Sequence, residues 1–229
     1  MKIAEILFDS AYLVAVLTMG FILLMRSNGR EQVRLFGIMA LILGFGDSFH
    51  LVPRIYALST DGLQNHRAAL GFGTFVASIS MTIFYVILYH IAKIRYSLKD
   101  GFLTLLVYGL ASIRILLCLC PDNNWTSEDP SYSWEIYRNI PFLMLGIVII
   151  ILFWMEARKN KDRVLRWMWL AIVLSFAFYI PVVIWSRSIP SIGVLMIPKT
   201  IAYVWMVVMG MNLLKSETRF EKEERKGAI

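Results

Sequence analysis

Seven long apolar stretches, almost free of charged residues, restrict this chain to a membrane. They span residues 8–25, 33–52, 68–91, 102–119, 139–155, 167–185 and 192–214. About 20 apolar residues in a helix cross a hydrocarbon core roughly 30 Å thick. Only 17% of the 229 residues are charged, and the connections are too short to hold a soluble domain. We therefore predict an all-α integral membrane bundle, with one seven-helix domain over residues 1–214 and a charged tail over 215–229.

The distribution of Lys and Arg predicts the orientation of this bundle. Sixteen of the 23 basic residues lie in the first, third and fifth connections and the tail, against five on the other side. Basic residues favour the cytoplasmic side. We expect a multi-pass protein of the cell membrane, with the N-terminus outside, the C-terminus in the cytoplasm, and membrane lipids as partners. The net charge of +7 follows from this topology, so a nucleic-acid partner is not predicted.

Ionisable residues inside the predicted helices indicate where a function would lie. Asp47, His50, Arg114 and Lys199 interrupt the apolar stretches, all in the outer half of the bundle. A charge at the bilayer centre costs about 2.5–3.5 kcal/mol on insertion scales, so such residues normally face the bundle interior. We expect Asp47 to lie within salt-bridge or single-water reach of Arg114 or Lys199.

Polar residues at helical spacing around these charges predict an outward-facing intramembrane pocket. Arg54 follows Asp47 by two turns, and the neighbouring helices add Ser78, Tyr179 and Tyr203. The cations outnumber the carboxylates, so a small anionic or amphiphilic molecule is the expected ligand. Two structural alternatives stay open: helix packing by the small residues, and a purely structural ion pair at Asp47.

The sequence carries no signature of metal or cofactor chemistry. Its three histidines, His50, His66 and His90, fall at different depths and form no pair with zinc-ligand spacing. Cys118 and Cys120 are two positions apart on a predicted helix, where their side chains diverge. We interpret both as packing thiols and predict neither a metal nor a cofactor.

Several short motifs follow one another within a stretch of about 50 residues. They are Leu-Gly-Phe-Gly-Asp at 43–47, Ala-Leu-Gly-Phe-Gly-Thr-Phe at 69–75, and Phe-Tyr and Leu-Tyr-His at 84–85 and 88–90. This stretch resembles the lysoplasmalogenase family, membrane hydrolases of lysophospholipid vinyl ethers. The resemblance implies a lysolipid-like ligand and hydrolysis. Asp47 would then be the acid or base, His50 its catalytic partner, and Arg54, Arg114 and Lys199 the groups that bind the anion.

Two other functions use the same residues. A small-solute or proton-coupled transporter with a 3 + 1 + 3 arrangement of helices would make Asp47 an ion or proton carrier. A retinal protein would attach its chromophore to Lys199, although the third helix has no acidic residue to act as the usual counterion.

Overall fold

The computed structural model describes residues 2–227 and confirms the predicted all-α architecture. Seven α-helices follow one another along the chain, each long and apolar enough to cross a membrane. Their bounds are α1 Lys2–Met25, α2 Glu31–Ser59, α3 Arg67–Arg95, α4 Phe102–Leu119, α5 Tyr132–Lys159, α6 Met168–Trp185 and α7 Met196–Gly227. The predicted tail from residue 215 continues α7, and its last two residues lie outside the described part of the chain.

Short connections join the helices, and three of them contain a 3₁₀ turn. These turns cover Leu63–His66, Pro121–Asn123 and Pro190–Leu195. Proline removes a backbone donor from a helix, yet α2, α5 and α6 continue through Pro53, Pro141 and Pro181. Such prolines are tolerated in membrane helices, where neighbouring groups satisfy the freed carbonyls.

Successive helices pack against each other, and α1 also contacts α7, which closes the bundle. The closest approach is between α2 and α3. A Cβ atom at Gly73 would lie 2.2 Å from the Phe49 carbonyl oxygen, and one at Gly46 would lie 2.0 Å from the Ser80 hydroxyl. Glycine is therefore required at both positions, as expected where membrane helices pack through small residues.

Contacts between connections define the two ends of the bundle. At the end where α1 begins, which we call the N-terminal end, Arg187 binds Asp129 and the Pro130 carbonyl, and Arg67 donates to the Glu128 carbonyl. The N-terminal end is the one that the sequence predicts to face outside. Its orientation in a membrane stays a prediction.

At the opposite end, Asp162 ties the connection between α5 and α6 to α3. Arg95 Nε donates to Asp162 at 2.8 Å, and the backbone N–H groups of Val164 and Leu165 donate to the same carboxylate. Burial raises the pKa of Asp162, but these donors outweigh it, so the pKa lies below its usual value. The contact thus stabilises the fold above the unfolded pKa and is lost as the pH falls below it.

Candidate functional site

Arg114 is a buried cation without a counterion. It lies on α4 with 2% of its surface exposed, and its Nε and Nη1 atoms have no hydrogen-bond partner among the described residues. The guanidinium carbon lies 3.3 Å from the centre of the Phe142 ring, a cation–π contact. Such a contact satisfies the charge only in part, because a ring face accepts no strong hydrogen bond. Arg114 is therefore prepared to bind a further acceptor.

Aromatic and hydroxyl groups of α3, α5 and α6 surround this part of the bundle. Tyr85 and Ser175 form a buried hydrogen bond of 3.2 Å, and Tyr85 also packs edge-on against Phe142. The Tyr179 hydroxyl donates to Asn139 Oδ1 at 3.0 Å. These groups give the surroundings of Arg114 a largely aromatic character with several hydroxyls.

Lys199, near the start of α7, supplies a second cation on the same side. Its Nζ lies 4.7 Å from the centre of the Tyr179 ring and 5.3 Å from that of Tyr203. It makes no hydrogen bond or ion pair with the side chains that the structure describes, residues 3–219, but it interacts electrostatically with both Asp47 and Arg114. Lys199 thus lies between an anion that attracts it and a cation that repels it.

Asp47 pairs with a tyrosine rather than with a cation. The Tyr12 hydroxyl of α1 donates to Asp47 Oδ2 at 2.6 Å. Asp47 forms no ion pair within 4.0 Å in the described chain, so the salt-bridge form of our prediction is wrong. The reason is that α1 brings Tyr12 into the position we had assigned to a cation. Single-water contact with Lys199 stays a prediction.

The other predicted site residues bind elsewhere. His50 Nδ1 lies 3.1 Å from the Leu70 carbonyl oxygen, which can only accept, so Nδ1 carries the proton. Arg54 Nε donates to Glu5 of α1 at 2.6 Å, and Ser78 donates to the Thr74 carbonyl of its own helix. Hence Arg114, Tyr179, Lys199 and Tyr203 lie together, Asp47 lies beside them, and His50, Arg54 and Ser78 have partners outside this group.

Asp9 of α1 is a second buried charge without a partner. It is 8% exposed, and its Oδ2 atom has no hydrogen-bond partner in the described residues. Glu5, Asp9 and Tyr12 lie on one stripe of α1, since they are separated by four and three residues. Asp9 therefore sits between the Glu5–Arg54 pair and the Tyr12–Asp47 pair, and it interacts electrostatically with Asp47.

Arg138 is a buried cation that lies one residue before the predicted apolar stretch 139–155. It lies on α5, is 6% exposed, and donates to Asn123 Oδ1 at 3.0 Å. Its guanidinium also stacks over Trp125 at 4.2 Å from the ring centre. The sequence did contain a sign of this position. Arg138 directly precedes Asn139 and Pro141 at the start of an apolar stretch, and a membrane helix often begins before its apolar stretch does.

Two cavities lie between α3 and the connection from α4 to α5, on either side of Trp125. One has a volume of about 310 Å³ and reaches Arg67 and Thr74. The other has a volume of about 370 Å³ and is bordered by Phe72, Cys118 and Leu119. The second cavity combines the exposed apolar side chains of Phe72 and Leu119 with Asn124 and Thr126 of the connection. Cys118 is one helical turn from Arg114.

A scan against protein-family models, a search of curated proteins and a search of solved structures each found no match. The lysoplasmalogenase resemblance is neither supported nor opposed by these comparisons, and it stays a prediction.

Proposed function

We propose that this multi-pass membrane protein binds a small anionic or amphiphilic, lysolipid-like molecule in an intramembrane pocket that opens to the outside of the cell. The observation that carries the proposal is the Arg114 guanidinium, buried on α4 with Nε and Nη1 unbonded in the described structure. Removing such an ion from water costs several kcal/mol. A cation–π contact returns about 2 kcal/mol when desolvated. In this proposal, a bound anion offsets the part of the desolvation cost that the cation–π contact does not.

The roles of the surrounding groups follow from their chemistry. Arg114 offers the N–H groups of Nε and Nη1, in fixed geometry, to a carboxylate, phosphate or sulfonate. Lys199 is the second cation, close enough to interact with Arg114 electrostatically. The rings of Tyr179 and Tyr203 hold Lys199 in place until an anion arrives. Arg54 and Ser78 serve the structure in this proposal, because each already has a partner.

The preference for an amphiphile is supported by the cavity that contains Phe72 and Phe75 of α3. Arg114 does not line this cavity, but Cys118, which does, lies one helical turn from Arg114 on α4. In this proposal an apolar chain occupies the cavity, and the charged group passes Cys118 to reach Arg114. A freely soluble anion would need no such apolar route.

Hydrolysis and transport use the same pocket and stay predictions. For hydrolysis, the Nδ1 proton of His50 leaves Nε2 as the basic ring nitrogen, and Asp47 is held by Tyr12. The two side chains bond to other groups rather than to each other, so each would act on the substrate separately. A retinal Schiff base at Lys199 would produce a visible absorption band that disappears in Lys199→Ala.

Binding of octanesulfonate to the protein in phosphatidylcholine nanodiscs tests the proposal. Octanesulfonate is a fixed-charge amphiphile, and 1-octanol is its neutral counterpart. We expect the sulfonate to bind and the alcohol to bind far less. Arg114→Gln should weaken sulfonate binding about 10- to 100-fold, the value of a charge-assisted hydrogen bond of about 1.5–3 kcal/mol. Arg163→Gln, at an exposed arginine of the opposite end, is the matched control.

Equal affinity for sulfonate and alcohol, or unchanged sulfonate affinity in Arg114→Gln, would overturn the proposal. Lysophosphatidate and lysophosphatidylcholine then extend the comparison to lysolipids, one with an anionic and the other with a zwitterionic headgroup.

A further inference from the structure

We propose that the pocket takes up a proton on the Asp9 side when an anion binds at Arg114, so that the two binding events are coupled. This inference rests on the proposed anion site. Its independent observation is Asp9 Oδ2, which is buried and unbonded in the described residues, on the other side of the bundle from α4.

A line of electrostatic neighbours connects the two unpartnered groups. Asp9 on α1 interacts with Asp47 on α2, Asp47 interacts with Lys199 on α7, and Lys199 interacts with Arg114 on α4. The line therefore begins at a carboxyl that has one unbonded oxygen and Arg54 as a neighbouring cation, and it ends at a guanidinium that has two unbonded nitrogens in the described residues. Lys199 is its movable member, since aromatic rings alone contact its ammonium group in the described structure.

Occupation of the anion site changes the balance of charge along this line. In the empty pocket, Arg114 repels Lys199 and Asp47 attracts it. A bound anion neutralises Arg114 and itself attracts Lys199, so Asp47 loses part of its compensation. The carboxyl pair Asp9–Asp47 is then more negative than before, and binding a proton restores neutrality.

Among the titratable groups of the packed helices, Asp9 is the one to which we assign the proton. On α1, Glu5 is paired with Arg54 of α2, and Tyr12 donates to Asp47. On α2, His50 donates from Nδ1 and keeps Nε2 as a second open proton site, and on α7 the groups are Lys199 and Tyr203. Asp9 Oδ2 is the carboxyl oxygen of α1 and α2 that is buried without a hydrogen bond in the described residues, and the Asp9→Asn variant distinguishes it from His50.

A proton suits this site better than a divalent metal ion. No group of three or more His, Cys, Asp or Glu side chains within residues 3–219, whose side chains are described, could hold a metal. A single proton needs only one carboxyl oxygen. It comes from the aqueous phase, bonds to Asp9 Oδ2, and breaks no bond in the anion.

The coupling is reciprocal by thermodynamic necessity. If anion binding takes up one proton, the anion affinity must rise about tenfold for each unit that the pH falls within the titration range. A transporter could use this coupling to move an anion and a proton together, which gives the transport alternative a physical basis.

Calorimetric titration with octanesulfonate in two buffers of different ionisation enthalpy measures the protons taken up per anion. The sulfonate stays ionised throughout, so any proton must bind to the protein. Over a series of pH values, we expect the proton number to pass through a maximum of about one proton per anion. Asp9→Asn should bind octanesulfonate with almost no proton uptake.

Asp122→Asn, at an exposed carboxylate of the connection from α4 to α5, should retain the wild-type value. Wild-type binding without proton uptake overturns the coupling and leaves the anion site intact. Undiminished uptake in Asp9→Asn overturns the assignment to Asp9. Absence of any binding by the wild-type protein overturns both the anion site and the coupling. If Asp9→Asn does not fold, the number of protons taken up by the wild-type protein is measured in sodium and in potassium salts. The same number in both salts supports coupling to a proton. A number that depends on sodium contradicts the proposal.

Discussion

Replacement of Arg114 by methionine should stabilise the empty protein while it removes anion binding. Methionine has nearly the length of arginine and packs flexibly into irregular spaces, so the substitution leaves little cavity. The buried charge without a counterion is lost, and so is its contact with Phe142 at 3.3 Å. If Arg114 instead stabilised the fold through contacts within the protein, Arg114→Met would be less stable than the wild type.

The size of this effect follows from the opposing contributions at Arg114. Desolvation of the guanidinium costs several kcal/mol, and its cation–π contact returns about 2 kcal/mol. Hydrophobic replacement of buried ionic groups is often stabilising by about 1–4 kcal/mol. We expect Arg114→Met to fall in this range, which raises the melting temperature by about 2–4 °C per kcal/mol for a chain of this length.

Arg138→Met is the matched comparison, because Arg138 is as deeply buried but has partners. The substitution removes a 3.0 Å hydrogen bond to Asn123 and the stack on Trp125. It also leaves Glu135, 3.9 Å away, without its nearest cation. Breaking such a contact costs about 3 kcal/mol, so this variant should be less stable than the wild type.

Thermal unfolding in a neutral maltoside detergent, followed with a thiol-reactive fluorogenic dye, measures both variants. Cys118 is fully buried and reacts only when the bundle opens; Cys120 is first replaced by serine in all proteins. The reasoning is refuted if Arg114→Met melts below the wild type by as much as Arg138→Met does. Such a result would mean that Arg114 is satisfied within the protein.

Four further predictions concern other parts of the molecule. Gly73→Ala should lower stability by about 1–3 kcal/mol through overpacking against α2, whereas Gly109→Ala, with open space around it, should be neutral or stabilising by up to about 1 kcal/mol; thermal melts compare them. The stability difference between wild type and Asp162→Asn should shrink as the pH falls below about 4, because the pKa of Asp162 is depressed in the folded state, and a pH series of melts would contradict this if the difference grew. Reporters fused after Ile229 and inserted between α4 and α5 should lie in the cytoplasm and outside, respectively; finding both on one side would refute the topology. If the lysoplasmalogenase resemblance is functional, purified protein should release aldehyde or fatty acid from vinyl-ether or ester lysolipids, and release that survives in Asp47→Asn would exclude Asp47 from the chemistry.

The seven helices were predictable because an apolar run of membrane length is a local property of the sequence. The prediction for α4, residues 102–119, matches both ends of the helix. The predictions for α2 and α5 are too short, since α2 continues to Ser59 and α5 begins at Tyr132. The missing turns, 53–59 of α2 and 132–138 of α5, lie at the N-terminal end, and each mixes apolar residues with an arginine, so hydropathy no longer distinguishes helix from connection there.

The partners of the buried charges were less predictable, because they depend on how each helix is rotated. The depth of a residue in the membrane can be predicted by counting residues along its helix. That count placed Arg114 and Lys199 at similar depths, and the structure places them close enough to interact. The partner of Asp47 is Tyr12 on another helix, and no spacing within α2 specifies it. Arg54 was expected in the pocket, but α1 supplies Glu5 to bind it. Arg138 was missed because the start of α5 was placed one residue after it.

A crystal structure with 8-bromooctanesulfonate tests the central claim most directly, because bromine gives an anomalous signal and the sulfonate gives three strong acceptors. The account predicts sulfonate oxygens about 3 Å from Arg114 Nε or Nη1, with the bromine in the apolar cavity beside Phe72 and Cys118. A bromine signal confined to other sites, with the Arg114 donors bonded only to protein groups, would contradict it.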